Sequence, residues 1–427
     1  MPKARCDTRP RWPAEARVDL RAGFPTIPSV TPYLAQRRDE LIRTYRDGLL
    51  QDVIPFWLKH GLDRKHGGIH TALGRRGELL DSDKSVWFQG RAAWTFATLY
   101  NTVEPRPEWL AAALSCGDFL HDRCADLTGK LHFTVTDEGD PLRMRRYVFS
   151  ECFAAIAYAA LFHATGQGKW KERALAAFDL FLKFNREPGH IAPKTSPETR
   201  PMKGLSPLMM TLVTAQDMRA DLGDVCVRGQ TLTQWAAAAI AEIRADFVKP
   251  DLQAVMEVVG PHGEIYDHFD GRLLNPGHSI EAAWFILREA RHLGDESMKR
   301  LGLDMLDWMW ARGWDREHGG ILYFADLHGK PIQEYWHFMK FWWPHNEAII
   351  ATLMAHVMTG DPKYAEMHRQ VHDWSYAHFP DREHGEWYGY LDRQGRPTTE
   401  LKGNMWKGPF HMPRQKLVCW QLLEGAR

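Results

Sequence analysis

The chain has 427 residues, 44% of them hydrophobic and 25% charged, which is enough apolar material for a sizeable packed core. Lys plus Arg and Asp plus Glu number 54 each, and this zero balance argues against a nucleic-acid binder or a polybasic membrane protein. The longest apolar run, around Phe153 to Phe162, is too short to span a bilayer.

Residues 1–30 are rich in Arg and Pro and carry no apolar stretch of the kind a secretory signal needs, so they read as an N-terminal arm. Residues 31–427 read as one domain. Thr31-Pro32 is a helix start, and Leu34, Leu41, Tyr45, Leu49, Val53 and Phe56 follow at helical spacing. Further helices are predicted over 85–101, 108–122, 148–165 and 169–185. Pro188, Pro193, Pro197, Pro201 and Pro207 then enforce a long loop. Helices resume over 208–221, 231–248, 279–293, 296–312, 345–359, 361–378 and 412–423, with only scraps of strand such as 321–324. The six cysteines show no CxxC pair and no zinc-like spacing, so they are expected to be reduced thiols of a cytoplasmic protein.

A Gly-centred element recurs through this series. It reads Asp63-Arg64-Lys65-His66-Gly67-Gly68-Ile69, then Asp315-Arg316-Glu317-His318-Gly319-Gly320-Ile321, then Asp381-Arg382-Glu383-His384-Gly385. Weaker echoes stand at Gly129, Gly189 and Gly263, giving roughly 60-residue intervals. One helical hairpin plus one Gly turn, repeated, predicts an all-α (α/α)6 barrel with short β-hairpin fragments in its connections. Such a barrel has one central pocket. The 18 tryptophans fit either core filling or the lining of a carbohydrate pocket.

Two histidines occupy matching places. His278 lies in Asn275-Pro276-Gly277-His278-Ser279-Ile280-Glu281 and His411 in Phe410-His411-Met412-Pro413-Arg414, each at the start of an apolar helix. A helix N-terminus favours a neutral imidazole able to accept a proton. Glu281, three residues after His278, is placed to orient it, and Glu347 has a similar position in Trp342-Trp343-Pro344-His345-Asn346-Glu347. Lys340, Trp343, His345 and Glu347 form either a sugar-binding wall or a buried ledge. Arg91, beside Gly90, is either a substrate-facing cation or an interhelical ion pair. Glu151 is either a substrate ligand or a plain charge in the first turn of its helix. His66, His318 and His384 stand alone in their turns, away from metal-ligand spacing, and no metal is expected. No GxGxxG, GxxxxGK[ST] or HExxH segment is present in the sequence.

Five segments together resemble the N-acylglucosamine 2-epimerase family, which includes the renin-binding proteins. They are 86–91, 150–153, 277–282, 340–348 and 407–414. The resemblance implies an (α/α)6 barrel that interconverts N-acetylglucosamine and N-acetylmannosamine. It implies His278 and His411 as acid and base, with Arg91, Glu281, Glu347 and Arg414 holding the open-chain sugar or tuning the histidines. It also implies a homodimer, a small-molecule sugar substrate and no required cofactor. ATP is an allosteric activator in the animal enzymes, and segment 193–207 does not match their nucleotide-responsive loop. Three other readings remain: an epimerase or aldose–ketose isomerase of unacylated mannose- or glucose-type sugars, a glycoside hydrolase on the same barrel, and a binding protein without activity.

Overall fold

The computed structural model describes residues 31–144, 149–187, 189–190 and 196–425. The arm expected at 1–30 lies outside these residues, as does part of the proline-rich segment. Among the described residues, twelve helices of eleven residues or more follow one another: α1 (Pro32–Asp47), α2 (Val86–Thr102), α3 (Pro107–Arg123), α4 (Phe149–Thr165), α5 (Gly168–Arg186), α6 (Ser206–Leu222), α7 (Leu232–Glu242), α8 (Pro276–Leu293), α9 (Glu296–Gly313), α10 (Trp342–Thr359), α11 (Pro362–His378) and α12 (His411–Gly425). Their starts follow local chemistry. Thr31 accepts from the Leu34 N–H with Pro32 behind it, and Asn275 accepts from the His278 N–H with Pro276 behind it. Gly294 and Gly360 end α8 and α10 in the left-handed conformation. After α1 the helix continues in wider turns over 48–53 and 57–61 around Pro55, whose missing N–H interrupts the regular ladder.

The even-numbered helices form an inner ring in which each packs against the next, and the odd-numbered ones lie outside. Burial follows this division. Inner helices α4 and α10 are buried almost all round, whereas outer helices such as α5 and α11 bury only one stripe. The ring closes through the segment that leads into α12: Thr95 Oγ1 of α2 donates to the Pro409 carbonyl at 2.7 Å, and α1 packs on α12, with Arg38 Nε on the Leu423 carbonyl. The architecture is therefore the (α/α)6 barrel predicted from the repeat.

The Gly turns close the ends of the outer helices. Asp63, Asp315 and Asp381 each accept the backbone N–H groups two and three residues ahead. A buried lysine clamps each aspartate: Lys84 on Asp63 at 2.7 Å, Lys340 on Asp315 at 3.0 Å and Lys402 on Asp381 at 3.0 Å. One echo is misplaced. Gly263 sits at the tip of a later hairpin, and the turn after α7 is 250–253, where Gln253 takes φ +47°. Short antiparallel pairs then link one unit to the next: 84–85 with 134–135, 203–204 with 258–259, 273–274 with 325–326, and 340–341 with 390–391. A bridge from Leu73 to Gly403 joins the first unit to the last. Together these pairs form a collar around the end of the barrel where the inner helices begin.

Cys116, Cys124, Cys152 and Cys419 are free and buried, as expected, but Cys226 is disulfide-bonded, against the expectation of reduced thiols throughout. No helix among the described residues is long and apolar enough to cross a membrane.

Candidate active site

Inside the collar lies a cavity of about 550 Å³, within the usual size of a small-molecule site. First turns of the inner helices supply much of its wall. His278 and Glu281 come from α8, Trp342 and Trp343 from α10, His411 and Arg414 from α12, and Trp87 and Arg91 from α2. Opposite them, α4 and α6 give an apolar wall that includes Phe153, Ile156 and Met209. Two helix starts fall earlier than expected, α8 at Pro276 and α10 at Trp342, and this puts His278 inside the first turn of α8.

The two imidazoles flank one indole. The His278 ring centroid lies 5.0 Å from that of Trp343, and the His411 centroid lies 5.9 Å from it. Each has its own carboxylate on Nδ1. His411 Nδ1 is 2.7 Å from Glu347 Oε1, and His278 Nδ1 is 2.9 Å from Glu257 Oε1. Because an ionised carboxylate only accepts, Nδ1 is the donor in both pairs. Burial, and then the positive charges of Arg414 and Arg91, hold His411 well below the usual imidazole range despite Glu281. It is therefore neutral at pH 7, with Nε2 as the basic nitrogen.

Glu347 is fully buried, which pushes its carboxyl up, while Arg414 and the Trp284 N–H work in the opposite direction. Arg414 bridges Glu347 to Glu281. Glu281, Glu347 and His411 bring ligand-type atoms within 4.8 Å of one another, a spacing that could suit a cation. The Arg414 guanidinium already supplies positive charge to both carboxylates.

Arg91 has no carboxylate partner among the described residues. It lies over Phe153 at 4.2 Å, Phe410 at 5.0 Å and Trp87 at 5.2 Å, and donates to the Trp406 carbonyl at 3.3 Å. Its Nε has no hydrogen-bond partner. Burial, and then the charge of Arg414, lower its pKa to about 9. Glu281 and Glu347 act on it only at a distance, and a desolvated cation without a directly paired carboxylate is a ready receptor for negative charge on a bound molecule.

The structure thus gathers His278, His411, Arg91, Glu281, Trp343, Glu347 and Arg414 at or immediately behind one cavity. Three other predicted residues serve the Gly turns instead. Lys340 is fully buried and clamps Asp315. His345 Nε2 accepts the Ile321 N–H at 2.9 Å while its Nδ1 donates to the Phe341 carbonyl. Burial lowers its pKa to about 3, so it is a neutral structural group. Glu151 Oε1 accepts the Leu131 N–H at 2.8 Å, and burial raises its carboxyl to about 7. Gln89 does the same work in the first unit, bonding both the N–H and the carbonyl of Ile69. The expected pairing of Glu281 with His278 is also replaced: Glu281 takes Arg414, and Glu257 takes His278. Glu257 lies 21 residues before His278, outside any helix, and no local pattern marks it.

The family profile of N-acylglucosamine 2-epimerase (GlcNAc 2-epimerase) matches residues 67–411, a span that contains both histidines and most of the cavity wall. The chain belongs to the N-acylglucosamine 2-epimerase family. Among its relatives, the N-acylglucosamine 2-epimerase of Bos taurus is 36% identical over 400 residues, covering 91% of this chain and 94% of that one. That of Rattus norvegicus is 37% identical over 381 residues, covering 88% and 90%. The solved cellobiose 2-epimerase of Spirochaeta thermophila DSM 6192 superposes with a TM-score of 0.77 at 23% identity, over 93% of this chain and 99% of that one, and so shares the fold. The chain is thus a member of a carbohydrate epimerase family on an (α/α)6 barrel.

Proposed function

We propose that the protein interconverts N-acetyl-D-glucosamine and N-acetyl-D-mannosamine, with one of His278 and His411 removing the C2 proton of the open-chain sugar and the other supplying a new one. The carrying observation is that these imidazoles, from different inner helices, flank Trp343 in one cavity, each with its own carboxylate. Ring opening exposes an aldehyde that acidifies the C2–H. One imidazole removes that proton from one face. Charge then builds on O1 of the resulting enolate, where Arg91 stabilises it. The other histidine, carrying a solvent-derived proton on Nε2 as its imidazolium, gives that proton to the opposite face and inverts C2.

Relatives at 36–37% identity bearing the N-acylglucosamine name favour the acylated sugar over the unacylated alternative. A glycoside hydrolase needs one carboxylic acid ready to protonate a leaving group. Glu281 and Glu347 are both tied to Arg414, which favours proton transfer by the histidines instead.

Epimerisation of N-acetylmannosamine in deuterated water, followed by NMR, tests the mechanism. Deuterium at C2 of the N-acetylglucosamine formed is the expected result, and unlabelled epimer rejects it. The proposal extends to a cytoplasmic homodimer that requires no cofactor. Light scattering reads the dimer, and assays with and without ATP read any effect of a nucleotide.

A further inference from the structure

Glu257 is absent from the lining of the first helical turns and from every motif in the sequence, yet it holds a ring nitrogen of one of the two histidines. Both of its oxygens lie within reach of His278 Nδ1, at 2.9 and 3.1 Å. The His278 N–H is held by Asn275 at 3.1 Å, so the backbone beneath the ring is fixed as well. Trp343 covers one side of the imidazole at 34° between planes. Main chain, ring face and ring edge are therefore each constrained by a different element: α8 with its cap, α10, and the segment that carries Glu257.

That third element is anchored independently. Val258 and Val259, next to Glu257, pair with Gly204 and Lys203, and the Glu257 carbonyl accepts the Leu205 N–H at 3.0 Å. The carboxylate is thus mounted on the collar and not on the helix that bears the histidine. Its geometry matches that of Glu347 on His411, where a carboxylate from a neighbouring element also takes Nδ1.

We infer that Glu257 is the positioning residue of His278, locking its ring as the Nδ1–H tautomer so that Nε2 is the nitrogen that exchanges a proton with the substrate. The inference rests on the epimerase reading for its catalytic meaning. Its structural meaning, one tautomer set by one carboxylate, stands apart from any substrate. A neutral imidazole in water prefers neither nitrogen strongly enough to fix its role; an acceptor on one nitrogen decides which is left to react.

The test combines kinetics with a direct view of the tautomer. In protein labelled with ¹⁵N-histidine, the resonance lost in His278→Asn identifies His278. In its neutral form the wild-type ring is expected to show Nδ1 protonated and Nε2 bare, and Glu257→Ala is expected to move the neutral ring toward the Nε2–H form. The same variant should lose about 100-fold or more in kcat, with KM changed by no more than about threefold. Glu257→Asp, which keeps the carboxylate, should recover part of the loss. Glu257→Gln, of the same size, serves where Ala does not fold, and should lower kcat at least about tenfold at unchanged KM. An unchanged tautomer in Glu257→Ala, or an unchanged kcat in any folded variant lacking the carboxylate, overturns the inference. Wild-type protein inert toward both acetylated sugars would instead refute the epimerase reading, and the tautomer measurement would still decide the role of Glu257.

Discussion

Arg91 and His345 both carry basic nitrogen into a buried place, yet their surroundings give them opposite duties. Arg91 meets aromatic faces and one carbonyl, with no carboxylate paired to it among the described residues, so its charge is available to a bound anion. Replacing it by Met, of similar length, should reduce kcat by about 10²–10³-fold, as removal of a single preorganised donor does elsewhere. KM should move far less, and steady-state assays with N-acetylmannosamine read the split. His345 spends both nitrogens on backbone groups of its own unit. His345→Ala leaves the buried Ile321 N–H without its partner, and should cost about 1–3 kcal/mol of stability. Urea denaturation measures that loss, and kcat per folded molecule should stay within about twofold of wild type. These two residues also show what the sequence could reveal. Trp343 and Glu347 are separated by four residues and so share the inward face of α10, while Lys340 and His345, in the same short segment, face the Gly turn. A motif read as a string does not say which of its members point inward. Glu257 was invisible for a different reason: its partnership with His278 is made across space by a hairpin, with no helical spacing to betray it.

At the scale of elements, the inner helices touch most closely where small residues permit it. A Cβ on Gly90 would come within 2.8 Å of the Phe153 backbone, so α2 and α4 cross there main chain against main chain. Gly90→Ala should therefore be overpacked rather than neutral, costing about 1–3 kcal/mol. Because Arg91 and Phe153 border this crossing, the variant should also lose activity beyond its loss of stability. Thermal unfolding and assays at a temperature well below the transition separate the two effects. The helices themselves were legible because apolar spacing and Pro-led starts are local signals, and most boundaries fell within a few residues of those expected. The collar was not legible. Its strands are two residues long and pair between units, so no run of alternating residues is long enough to mark them.

For the whole molecule, the repeated aspartates set a common dependence on acid. In Asp63 burial acts to raise the carboxyl, but Lys84 and the His66 and Lys65 N–H groups outweigh it and bring the pKa from 3.8 to about 2. Asp315 and Asp381 are depressed in the same way, against burial, by Arg393 with Lys340 and by Arg75 with Lys402. A carboxylate whose folded pKa lies below its unfolded value stabilises the fold fully above the unfolded value, and that stability is lost as pH falls through the folded one. Resistance to urea should therefore decline from pH about 4 toward pH about 2, and Asp63→Asn should flatten the decline by removing one contributor. The repeat that made the barrel readable is thus also the site of its acid sensitivity.

Arg75, in the hairpin that follows the first Gly turn, reaches Asp381 of the last at 2.7 Å, beside the bridge from Leu73 to Gly403. An open solenoid can fray from its terminal repeats, which have a neighbour on one side only. Here the first and last units are each other's neighbour, so there is no outermost repeat to peel away. Melting should then be one concerted event, with calorimetric and van't Hoff enthalpies in agreement.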